Sequence, residues 1–190
     1  MTSLTLNLKP VIELTDEQFF QLCQINELVR FEHNPDGTLL LMPLVGGLTS
    51  IRIANLIYQL GMWNQDKTGI AFAATGFILP NGAVRASNVS WLQRDKWNAL
   101  TKEQQEKFPP VCPDFVVDLR SNVDCWQRLQ SKMNEYRDNS VQIGWLIDLE
   151  TQQVEIYRPN REIEVLHSPA TLSGENLLDG FILNLETIWY

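Results

Sequence analysis

Val-Cys-Pro-Asp-Phe-Val-Val-Asp-Leu-Arg, residues 111–120, decides how this chain folds. From Val111 to Leu119 it is apolar except at Asp114 and Asp118, and that density of β-branched residues predicts a buried strand. Side chains alternate along a strand, so Asp114, Val116 and Asp118 share one face while Phe115, Val117 and Leu119 fill the other. At a rise of roughly 3.3 Å per residue the two aspartates stand about 13 Å apart, too far to share one metal ion. If Asp118 binds a cation, its second side-chain ligand must come from another element, best an adjoining strand.

Downstream, Ser121 or Asn122 is positioned to cap a helix whose Trp126, Leu129, Met133 and Tyr136 follow the spacing of one buried face, with Lys132 at its border. Ile143–Ile147 predicts a second buried strand, Val154–Tyr157 a third, and Glu162–Leu166 extends the sheet. The tail, residues 177–190, is apolar enough to dock on the body. Strand, helix, strand in this order implies an α/β core with a right-handed crossover.

Upstream, Thr15-Asp16-Glu17-Gln18 has the spacing of a capping box and opens a helix to about Asn26, packed through Phe19, Phe20 and Leu22. Leu28–His33 and Thr38–Met42 flank Asn34-Pro35-Asp36-Gly37 as a β-hairpin. Glu32 lies on its first strand, where an exposed acid is the ordinary expectation and a place in a cleft the alternative. Gly46-Gly47 breaks the chain before a helix carrying Ile51, Ala54, Ile57 and Tyr58 to about Trp63. Ile70–Leu79 and Ala83–Leu92 enclose Pro80-Asn81-Gly82, a strong hairpin signal. Thr101 to Gln104 repeats the capping box before a short helix that Pro109-Pro110 closes. The expected fold is α/β, a mixed sheet with antiparallel hairpins flanked by helices.

With 190 residues and 44% apolar content the chain suits one domain over residues 1–190, including the helix and hairpin at about 14–43. No secretory-type leader or membrane-length apolar run occurs, so a cytoplasmic protein without a membrane partner is expected. Cys23, Cys112 and Cys125 are scattered and odd in number, which fits reduced thiols, and His33 and His167 are too far apart for a zinc motif. No phosphate-loop or dinucleotide fingerprint supports nucleotide binding. The net charge of −8 lacks the basic balance of a nucleic-acid binder. Locally, Arg85, Arg94, Lys96, Arg120, Arg128, Lys132 and Arg137 form either a cationic patch on an acidic body or a mixed solvated surface. Trp91, Trp126 and Trp145 read as core, with stacking on bases as the alternative.

If the arm bearing Asn88 pairs with the strand bearing Asp118, opposed residues hold their Cβ atoms roughly 5 Å apart. Two oxygens at that spacing, with the main-chain carbonyl of Leu119 as a third, suit one hard cation. Lys132 would then stabilise charge on a reacting phosphate or orient a water, a set that fits phosphodiester hydrolysis. The structural alternative is that Asp118 accepts backbone hydrogen bonds or pairs with Arg120 or Lys132.

Pro113-Asp114-Phe-Val-Val-Asp118-Leu-Arg-Ser121, Lys132-Met-x-Glu135-Tyr136 and Gly144-Trp-Leu-Ile-Asp148 resemble the Uma-two family of restriction-type endonucleases. The likeness runs from about Leu14 through Trp189 and includes Met42-Pro43 and the hairpin from Thr75 to Gly82. It implies a restriction-endonuclease-like fold of the PD-(D/E)XK superfamily, Mg²⁺ (or Mn²⁺) dependence, a DNA substrate and a homodimer. By resemblance, Asp118 stands at the family's metal-binding acid, Lys132 at its helix-borne lysine, and Glu32 at an acid near the site. Asn88 replaces the aspartate of the family's first Pro-Asp, so the metal ligands Asp118, Asn88 and Leu119 carry one charge fewer and weak metal binding is expected. Asp114 is expected to flank the site. The alternatives are a non-catalytic relative binding nucleic acid or a protein partner, and a structural dimer using the apolar tail.

Overall fold

The computed structural model describes residues 4–42, 44–66, 68–121 and 124–190. Strand β1 (Leu4–Leu6) precedes helix α1 (Asp16–Ile25), where the Thr15 hydroxyl accepts from the Gln18 amide and the Gln18 side chain accepts from Thr15 N–H. The hairpin β2 (Arg30–His33) and β3 (Leu39–Met42) turns at Gly37, whose φ of 91° suits glycine. β1, which the sequence pattern did not signal, pairs with β3. Helix α2 (Gly47–Trp63) begins at the second of the two glycines.

The hairpin expected over residues 70–92 forms in two pieces. Its outer parts, β4 (Gly69–Ala73) and β7 (Val89–Gln93), belong to one sheet; its inner parts, β5 (Phe77–Ile78) and β6 (Val84–Arg85), belong to another. Ala74, at φ 51° with its N–H on the Asn88 carbonyl, marks the corner. One antiparallel sheet thus runs β1-β3-β2-β6-β5. Helices α3 (Arg94–Asn98) and α4 (Lys102–Glu106) follow, the latter with the expected Thr101–Gln104 box and the former unforeseen.

Strand β8 (Phe115–Arg120) starts four residues later than expected. Pro113 offers no N–H to a ladder, and Asp114 uses its own N–H on the Trp91 carbonyl before regular pairing begins. Helix α5 (Trp126–Asp138) carries the chain to β9 (Ile143–Asp148), which pairs with β8 in parallel as anticipated. Cys125 rather than Ser121 is the N-cap; Ser121 donates its N–H and hydroxyl to Asp124 Oδ2 at 2.9 and 2.6 Å, and Asn122 lies outside the described residues, as does Pro43. β10 (Gln153–Tyr157) and β11 (Glu164–His167) complete a second sheet of order β11-β10-β9-β8-β7-β4. The ribbon β12 (Thr171–Ser173) and β13 (Ile182–Asn184) and helix α6 (Glu186–Trp189) close the chain.

The alternation along β8 partitions the core. Phe115, Val117 and Leu119 pack with Leu56 and Leu60 of α2 and with Leu183 and Ile188 of the tail; Val116 packs with Leu129, Met133 and Tyr136 of α5. Leu178, Phe181, Leu183, Leu185 and Ile188 of the tail are therefore used within the chain, while Ile182 and Tyr190 remain exposed. Trp91 and Trp145 are core, while Trp126 is half-buried beneath the Arg120 guanidinium, 5.9 Å from its ring. Among the described residues no helix is long and apolar enough to cross a membrane.

Gly69 is the tightest backbone approach in the larger sheet. A Cβ there would fall 2.2 Å from the Trp91 ring and 2.5 Å from the Leu92 carbonyl, with neither able to yield. Gly69→Ala is expected to destabilise by about 2–3 kcal/mol, read as a lower midpoint in urea unfolding; an unchanged midpoint would contradict this packing.

Candidate functional site

Between β6 and β7 the chain leaves one sheet for the other within Ala86-Ser87-Asn88, where its peptide groups fall outside both ladders. Buried peptide groups require partners, and side chains supply them here. Ala86 N–H donates to Glu32 Oε1 (3.1 Å) and its carbonyl accepts from Lys132 Nζ (2.7 Å). Asn88 N–H donates to Asp118 Oδ1 (2.8 Å), and Asn88 Oδ1 accepts from Leu119 N–H (2.7 Å). The β7–β8 register, with Val89 opposite Val117, brings Asn88 across from Asp118 as the pairing argument requires.

Lys132 sits at the centre. Its Nζ is 2.8 Å from Glu32 Oε1 and 3.0 Å from Asp118 Oδ2. α5 presents it on the same side as Met133 and Tyr136, over the β8 face that carries Val116 and Asp118. Glu32 is buried, not an exposed hairpin acid, because β2 is an inner strand between β3 and β6. Arg85, a buried strand arginine, approaches Glu32 Oε2 at 3.9 Å and is held by Glu135 Oε2 at 2.5 Å and Asn34 Oδ1 at 2.6 Å. Sequence reasoning missed the role of Glu135; a charged arginine flanked by Val84 and Ala86 was the available sign that an acid must meet it.

The two central acids titrate in opposite directions. Burial pushes the Asp118 carboxyl above its ordinary range, with the nearby Glu32 charge adding to the rise and Lys132 opposing it incompletely. Burial also acts to raise Glu32, but Lys132 and Arg85 together outweigh it and hold Glu32 below the usual carboxylate range. Burial would lower Lys132, yet Asp118 and Glu32 overcome it and keep the ammonium charged.

A cleft of ≈ 60 Å³ opens on the cluster, walled by Glu32, Asn88, Asp118, Leu119 and Lys132 with Met42 at its apolar side. Asp118 Oδ2 is fully buried, faces the Lys132 ammonium at 3.0 Å and takes no other donor among the described residues. An anionic oxygen with lone pairs to spare beside an amide oxygen suits a hard cation that keeps most of its own waters, as Mg²⁺ does. Among the described residues no group of three or more His, Cys, Asp or Glu side chains is arranged around one metal position.

Asp114 is separate from this site. Its carboxylate takes Lys96 Nζ at 2.6 Å, Gln142 Nε2 at 2.7 Å and Gln93 N–H at 2.9 Å, and so locks the sheet's lower end. The basic residues that might have formed one patch are largely consumed in such pairs, Arg120 by Asp148 and Arg137 by Asp138 among them.

A family model described as "Uma2: Putative restriction endonuclease" matches residues 16–186. Among solved structures, one from Anabaena variabilis ATCC 29413, titled as a "putative nuclease belonging to DUF820", superposes with a TM-score of 0.77 at 18% identity, covering 93% of this chain and 97% of that one. The likeness shows the shared mixed α/β fold. The comparison with curated proteins finds no match.

Lys132→Met would leave two buried acids short of their shared cation, at a cost of about 3–5 kcal/mol at pH 7. In wild type the depressed Glu32 stabilises above its unfolded pKa and loses that contribution as pH falls through its lower folded value. Without the ammonium both carboxyls rise above their unfolded values, so the folded variant binds protons more readily and its deficit narrows as pH falls toward 4. Denaturant unfolding at pH 7, 5.5 and 4 checks this; a deficit that widens in acid would contradict the cluster's electrostatics.

Proposed function

Because this chain belongs to the Uma2 family, we propose that it is a metal-dependent DNA endonuclease of the PD-(D/E)XK type. The observation that carries this reading is the convergence of Asp118, Asn88 and Lys132 on one cleft, with Asp118 Oδ2 taking no donor but the Lys132 ammonium among the described residues. Asp118, the Asn88 amide oxygen and the Leu119 carbonyl would hold Mg²⁺ or Mn²⁺. When bound, the ion supplies Lewis acidity toward the phosphodiester.

The remaining work falls to the chain's own groups. Lys132, steadied by the Ala86 carbonyl and Glu32, brings a fixed positive charge to the place where phosphate charge grows in the transition state. Glu32 acts through Lys132, holding it charged and aimed. Asp118, whose carboxyl is raised by burial, must shed its proton to ligate, so activity is expected to rise with pH through that raised value. Metal affinity is weak, since one carboxylate and a neutral amide already engaged by Leu119 N–H make up the side-chain set. A homodimer, taken from the family resemblance, and a cytoplasmic setting, taken from the sequence's lack of a secretory-type leader or membrane-length run, belong to the same proposal.

The second reading is a non-catalytic relative that keeps the fold and binds nucleic acid or a protein partner. It is favoured by one feature: Lys132 lies within 3.0 Å of both acids and balances much of their charge without an ion.

Plasmid DNA is expected to be nicked or linearised with Mg²⁺ or Mn²⁺, and Asp118→Ala to lower the rate by roughly a hundredfold or more. Undiminished cleavage in that variant would remove Asp118 from the chemistry, and no cleavage by wild type together with salt-sensitive DNA binding would favour the second reading. Asn88→Asp is expected to tighten Mn²⁺ binding roughly tenfold in calorimetric titration; equal or weaker affinity would displace residue 88 from the metal.

A further inference from the structure

Two arginines beside the ion cluster differ from the cations around them in having no carboxylate partner among the described residues. Arg85 is held by Glu135 and Glu32, Arg120 by Asp148 and Glu150, and Lys96 by Asp114. Arg30, on β2, lines the cleft beside Asp118 and Asn88, and its side chain makes no hydrogen bond or ion pair with a described residue. Arg128, on α5, donates from Nη2 only to the Met42 sulfur, 3.3 Å away and a weak acceptor, while its buried Nη1 has no partner among the described residues.

These two side chains are neighbours by construction. The β2–β3 register sets Arg30 opposite Met42, and directly opposed side chains lie on one face of the sheet. Met42 is thus the common neighbour, next to Arg30 across the ladder and in contact with Arg128 Nη2, with Arg30 on the smaller cleft and Arg128 on the adjoining one. Arg30 stands two residues before Glu32 on its strand, and Arg128 four before Lys132 on its helix, each one step along the face that carries the buried pair. Strand and helix thus present opposite charges at one level, Glu32 with Lys132, and two like charges at the next.

Desolvated like charges are costly unless something anionic joins them. The chain has 23 acids against 15 basic residues, yet none covers this pair among the described residues. The acids lining the adjoining cleft of ≈ 520 Å³ are engaged elsewhere: Glu32 with Lys132, Glu135 with Arg85, and Asp36 with Thr38 N–H at 2.9 Å. Asp124, on the smaller cleft, accepts from Ser121. A planar guanidinium with free donors matches a phosphate better than any other common anion on DNA.

We propose that Arg30 and Arg128 form a second anion subsite, which seats the DNA phosphate adjoining the one presented to Asp118 and Lys132. This rests on the nuclease-fold reading above, and both arginines are positioning residues that fix the strand's register on the cleft. The test is fluorescence anisotropy of a labelled DNA duplex, in EDTA so that no cleavage occurs, over a series of salt concentrations. Arg30→Gln and Arg128→Gln, each verified by thermal unfolding to be folded, should weaken binding roughly tenfold and lower the slope of log affinity against log salt by about one. Arg→Lys at either position should restore the slope. In the wild-type chain, phenylglyoxal labelling read by mass spectrometry should show Arg30 and Arg128 protected by the duplex, a measurement independent of how the variants fold. Unchanged slopes, or labelling indifferent to DNA, would overturn the subsite while leaving the nuclease reading intact if Asp118→Ala still binds and no longer cuts. A wild-type chain that does not bind the duplex at any salt would sink both.

Discussion

The peptide groups of Ala86 and Asn88 belong to neither sheet, and the buried cluster of Glu32, Lys132 and Asp118 answers that deficit. A strand that changes sheets in three residues leaves donors and acceptors that water cannot reach, and each unmet group costs on the order of 1–3 kcal/mol. Charged side chains meet them at close range. Once there, the charges must balance one another, since removing any one strands the others in a poor solvent. The same residues that close the corner therefore form one wall of the cleft.

This dual duty explains the opposite behaviour of the two acids. Glu32 sees two cations and is held ionised, while Asp118 shares one and is pushed up by its burial. The acid less well compensated is also the one whose Oδ2 has the Lys132 ammonium as its sole donor among the described residues. A structural role alone would be served by a saturated carboxylate; the unsaturated oxygen, placed beside a cleft, is where the geometry departs from mere stabilisation. Asn88 fits the same economy. Its amide mimics a ladder acceptor for Leu119 N–H without adding a third negative charge to a site with a single shared lysine.

Charge is handled locally throughout. An acidic chain places most of its basic residues in pairs, so no broad basic face arises from Arg85, Lys96, Arg120 and Arg137. Beside Met42, Arg30 and Arg128 stand without a carboxylate partner among the described residues, as Lys102 and Arg161 do elsewhere. A body of net charge −8 repels polyanions in general, and a small cationic spot at one cleft gives contact there an advantage over contact elsewhere.

The sequence by itself determined much of the frame. Capping boxes at Thr15 and Thr101 reported helix starts because they are local hydrogen-bond devices, and the periodicity of Leu129, Met133 and Tyr136 reported α5 because it reflects a buried stripe. The alternation along β8 correctly put Asp118 on the face of Val116, opposite Phe115 and Val117, and so toward α5. What only the tertiary structure decided was where the hairpin over residues 70–92 divides between sheets, that Glu32 is buried, and that Arg85 pairs with Glu135 beside it. None of these has a local signal, because sheet switching and charge pairing between residues as far apart in the chain as Arg85 and Glu135 or Glu32 and Lys132 depend on which elements meet in space. A short-range pattern records which face a side chain takes; it does not record what stands opposite.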